Sequence, residues 1–92
     1  MFIRSGVNKI ESDTGFSVEI LGLTGMTYTE GVRSMFVDSE LLSGNEIQLF
    51  SHSIKNWDPP NQEDPISPAI KAQIIDNIRS ALGFDNKTIV VD

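Results

Sequence analysis

Asp38 and Glu40 stand two residues apart in Val37-Asp38-Ser39-Glu40, and on an extended strand that spacing puts both carboxylates on one face. Two close carboxylates can share a proton for acid-base work or begin a site for a hard metal, but either use needs further donors. The only histidine, His52, lies between Ser51 and Ser53, and the chain has no H-x-x-x-H string, no glycine-rich phosphate loop and no cysteine. A metal-dependent hydrolase built on Asp38, Glu40 and His52 therefore lacks a recognisable ligand set, and no G-x-S-x-G string offers a nucleophile. The residues point to no enzyme activity, no cofactor, no metal and no small-molecule substrate. The bland reading of the same side chains is that Asp38 and Glu40 are solvated where a strand meets a loop, Glu30 opens a turn before Gly31, and His52 sits at an edge.

The single tryptophan lies in Ile54-Lys55-Asn56-Trp57-Asp58-Pro59-Pro60. Each proline fixes its φ at about −65°, and Pro59 also drives Asp58 out of the helical region, so the chain leaves Trp57 stiff and extended. An indole held in this way either packs over the sheet or the first turn of a helix with its N–H on a carbonyl, or faces a partner as an anchor.

Charge narrows the partner. Thirteen acids against seven bases give a net charge of −6, and the span Glu30 to Asp64 carries most of it, with seven acids and only Arg33 and Lys55 as bases. Phosphate binding draws on lysine and arginine, so nucleic acid suits this surface poorly and a basic protein suits it well; net acidity also simply keeps a protein in solution. The candidate contact residues are Glu30, Asp38, Glu40, Glu46, Asp58, Glu63 and Asp64, together with Trp57.

These residues need a scaffold, and 92 residues with 39% hydrophobic content suit one core, so a single domain over residues 1–92 is expected. No apolar run approaches the ~20 residues of a membrane span, Met1-Phe2-Ile3-Arg4 lacks the design of a secretory signal, and a small domain without disulfides fits the cytoplasm. Period-two alternation predicts a hairpin over Val7 to Asp13 and Gly15 to Gly22, with Phe16, Val18 and Ile20 on one face. Further strands are expected at Met26 to Thr29, Val32 to Asp38 and Glu46 to Ser51; in the second of these Phe36 shares a face with Ser34 and Asp38, so periodicity leaves the core side open.

Pro59 to Pro65 is too rich in proline for a central strand. A helix follows, with Ser67 as N-cap, Pro68 in the first position, Ile70, Ile74, Ile78 and Leu82 along one stripe, and Gly83 as the terminating residue. Lys87 to Val91 then returns as a strand. The fold class expected is α+β: an antiparallel sheet of about five to six strands with one helix on one face and a final short strand.

Several of these segments resemble a known family. Tyr28-x-Glu30-Gly31-x-Arg33-Ser34, Val37-Asp38-Ser39-Glu40-x-Leu42-x-Gly44, Ser53-Ile54-x-x-Trp57-Asp58-Pro59-Pro60 and Asn77-Ile78-Arg79-x-Ala81-Leu82 together resemble bacterial immunity proteins of polymorphic-toxin and contact-dependent growth inhibition systems. The resemblance covers about residues 28 to 82. It implies a cytoplasmic antitoxin that binds the C-terminal domain of a delivered toxin, commonly a nuclease acting on tRNA or other RNA. It also implies that the shared residues Tyr28, Gly31, Arg33, Trp57, Pro59 and Pro60 hold the fold, while acids outside the motif, such as Glu46, Glu63 and Asp64, carry specificity. A reading from another class is a small structural or regulatory subunit that dimerises through an open sheet edge.

Overall fold

A computed structural model describes residues 1–92. The strands are β1 (Phe2–Gly6), β2 (Lys9–Ser12), β3 (Phe16–Ile20), β4 (Thr24–Glu30), β5 (Arg33–Leu41) and β6 (Glu46–Leu49); a 3-10 turn (Ser51–Ser53) leads to the helix α1 (Pro68–Phe84) and the last strand β7 (Thr88–Val91). All seven strands form one sheet in chain order, antiparallel from β1 to β6, with β7 parallel to β6. The fold is thus the α+β arrangement the sequence implies, one strand larger, because Phe2–Gly6 pairs with β2 as an edge. The parallel last pair follows from the crossover through α1, since a helix between two strands returns the chain in the same direction.

Alternation decides which side of the sheet is core. Ile10, Val18, Met26, Tyr28, Met35 and Val37 are all at most 2% exposed, and Ile47, Leu49 and Ile89 continue this inner face toward β7. The helix covers it with Ile74, Ile78, Ala81 and Leu82. Ser67 caps α1 by accepting from the Ile70 N–H at 3.2 Å, beside Pro68 at the first turn. Gly83 does not end the helix as expected. The turn out of it uses Asn86 at φ 61°, with the Lys87 N–H on the Leu82 carbonyl at 2.9 Å; asparagine tolerates the left-handed region that this turn needs.

The rest of the inner face is closed by the connector between β6 and α1. β6 pairs only with residues 39–41 of the nine-residue β5, and the connector bonds part of the remaining edge. The Phe50 N–H bonds the Asp38 carbonyl, the Asp38 N–H bonds Ser53 Oγ, and the Asp58 N–H bonds the Ser34 carbonyl at 2.7 Å. These bonds fold Ile54 and Trp57 into the core, each 3% exposed. The Pro59–Pro60 peptide is cis.

Candidate functional site

The resemblance segments meet on the inner face. Tyr28 stacks on Trp57 with ring centroids 6.3 Å apart, and the Arg33 guanidinium lies 5.8 Å from the indole centroid on its way to Asp64, which its Nε reaches at 2.9 Å. On the other side Tyr28 stacks on Phe16, Phe16 meets Phe2 edge to face and Phe2 lies tilted against Phe84, each at 5.9 Å between ring centroids, so a row of aromatic rings runs under the sheet from the helix end to Arg33.

Polar atoms within this row are paired. The Tyr28 hydroxyl donates to Glu30 and accepts from Asn77 Nδ2 at 2.9 Å, and Asn77 Oδ1 accepts from Gln73 at 2.9 Å. Burial first, and then the hydrogen bond to Glu30, push the Tyr28 phenol well above its usual range, so it stays protonated. No buried side-chain polar atom lacks a partner.

This geometry sorts the candidate contact residues. Trp57 is a core residue, and the alternative in which it faces a partner is corrected by the connector bonds that turn the indole inward. Glu30 is held by Tyr28, and Asp64 by Arg33 and Asn61, so both carboxylates are engaged within the chain. Asp58 and Glu63 are exposed on the connector, apart from the strands. Asp38 and Glu40 alternate with the buried Val37 and Ser39, and Glu46 precedes the buried Ile47, which places all three on the outer face, away from α1.

Glu11 and Glu19 share that outer face, because each follows an inward residue, Ile10 or Val18. Neither was among the sequence candidates, although the alternation of Phe16, Val18 and Ile20 with Ser17 and Glu19 already carried the signal. Five acids thus stand on one sheet face with a single base, Lys9, opposite Glu19 in the register. None of the five makes an ion pair, whereas Asp13, Asp64, Asp76 and Asp85 are all paired elsewhere. A sheet face with this excess of unpaired acids projects a negative potential outward instead of spending it in ion pairs within the molecule.

No group of three His, Cys, Asp or Glu side chains is arranged to hold a metal ion, and His52 lies exposed beside Phe50, at 6.1 Å between ring centroids. No helix is long and apolar enough to cross a membrane.

Comparison with known proteins gives one match: the model of the family described as Immunity protein 74 fits residues 18–92. No curated protein and no solved structure matches the chain.

Proposed function

This chain belongs to the Immunity protein 74 family, and we propose that it neutralises a nuclease toxin domain, of RNase or tRNase type, by covering its cationic groove in the cytoplasm of the cell it protects. The family supports an immunity function exercised on a toxin partner. The observation that carries the finer reading is the outer sheet face, where Glu11, Glu19, Asp38, Glu40 and Glu46 are all without an ion pair. A nuclease needs a basic cleft to hold phosphate, and the opposed potentials attract over a Debye length of about 8–10 Å. Such steering raises association from a typical ~10⁵–10⁶ toward ~10⁸ M⁻¹s⁻¹ at low salt, which suits an inhibitor that must act before its target finds RNA. The chain acts by occupancy and performs no catalysis. Delivery by contact-dependent inhibition, with the toxin as the C-terminal domain of a larger protein, is part of the same proposal.

Stopped-flow mixing with the toxin domain encoded by the adjacent reading frame tests it. The association rate falls steeply between low and high salt, and one equivalent of this chain abolishes RNA cleavage. A salt-independent rate, or a toxin whose activity is untouched by the complex, would overturn the reading. Sedimentation of the isolated chain addresses dimerisation through β1 or β7, the two strands at the sheet edges; a stable homodimer indifferent to the toxin would favour the subunit reading instead.

A further inference from the structure

The outer face carries one large apolar group at its middle. Phe36 is 51% exposed, and its ring lies over Gly25, where an added Cβ would fall 2.5 Å from it. The glycine lets one side of the ring rest against the β4 backbone while the other remains in water. In the register Thr27 stands opposite Phe36, with Glu19 beyond it, and Asp38 and Glu40 follow along β5. Leu23, 76% exposed, has its carbonyl on the Leu41 N–H at 2.9 Å, so a second apolar side chain borders the same strand.

We propose that Phe36 is the apolar anchor of the toxin-binding surface, received by an apolar pocket that the toxin presents among its lysines and arginines. This rests on the toxin-binding reading above and locates its contact. Interface centres are enriched in aromatic side chains, which contribute large contact area at low entropic cost, and Phe36 is further pre-organised by Gly25. Charge selects the occupant. Unpaired acids around the ring repel nucleic acid and anionic lipid, and a second copy would bring five carboxylates against five. A cationic protein surface answers both the acids and the ring.

The test measures binding of Phe36→Ala, Thr27→Arg and the connector control Gln62→Lys to the catalytically inactivated toxin domain of the adjacent reading frame, with the thermal midpoint of each variant recorded. Phe36→Ala weakens the complex at least about thirtyfold, mainly through faster dissociation, and Thr27→Arg, which leaves the contact with Gly25 intact, weakens it at least about tenfold. Gln62→Lys stays within a few-fold. If Phe36→Ala is poorly folded, Thr27→Arg decides. Both face variants binding within twofold of the parent would overturn the anchor and leave the toxin-binding reading standing. A parent chain that forms no complex would overturn both.

Discussion

Asn77 on the helix donates to the Tyr28 hydroxyl at 2.9 Å, and the same hydroxyl donates to Glu30, so one phenol joins α1 to the end of β4. Tyr28 is the only tyrosine, fully buried, between Phe16 and Trp57.

Phenolate absorbance therefore reports this single site. Its folded-state pKa lies above the unfolded value of about 10, so its contribution is complete below pH 10 and is lost as pH climbs toward the folded value. Alkaline titration should show no phenolate until the chain unfolds, and Tyr28→Phe should flatten this part of the stability profile above pH 10. At neutral pH the same substitution costs about 1–2 kcal/mol in urea unfolding, because Asn77 loses its acceptor.

Trp57 supplies a second probe. With the indole 3% exposed, its emission should be blue-shifted and shielded from iodide in the native state, and toxin binding should leave the spectrum nearly unchanged. A large shift on complex formation would place the interface on the connector. Trp57→Ala removes a buried ring that contacts both Tyr28 and Arg33 and should cost about 3–5 kcal/mol, a large share of the stability of a domain this size.

Gly25 and Phe36 should be coupled in stability. Gly25→Ala meets two obstacles, a backbone at φ +84° and a Cβ 2.5 Å from the Phe36 ring, and is expected to cost about 1–3 kcal/mol or more. Removing the ring relieves only the second obstacle. A double-mutant cycle with Phe36→Ala in thermal or urea unfolding should therefore show that the double variant loses less than the two single losses together.

Ser67→Ala offers a local control. It removes the acceptor for the Ile70 N–H and should lower stability by about 1 kcal/mol, read as a lower urea midpoint at unchanged slope, without altering toxin binding.

What could be read from the chain was what lies close along it. Ser67, Pro68 and the spacing of Ile74, Ile78 and Leu82 define α1 because capping and helical periodicity act over a few residues. β1 gave no such signal. Its Phe2 packs on Phe16 and Phe84, and its Arg4 pairs with Asp85, a partner 81 positions away. The side of β5 that faces the core was equally hidden, since Phe36 looks like an interior residue until its ring is known to rest over Gly25 on the outer face. Trp57 sits among polar neighbours, and it is turned inward by long-range connector bonds such as that from the Asp58 N–H to the Ser34 carbonyl. The outer acids of β5 were legible as a pair, but that Glu11 and Glu19 join them depends on strand pairings that span the sheet.

Along β5 the two parities of residue number lead separate lives. Met35, Val37 and Ser39 are sealed inside, while Ser34, Phe36, Asp38 and Glu40 look outward. Exchanging only the even positions rewrites the exterior of that strand and leaves each of its interior side chains in place. A module wired in this manner can be re-addressed to a new target by alternate-site changes, with its folding instructions kept on the intervening residues.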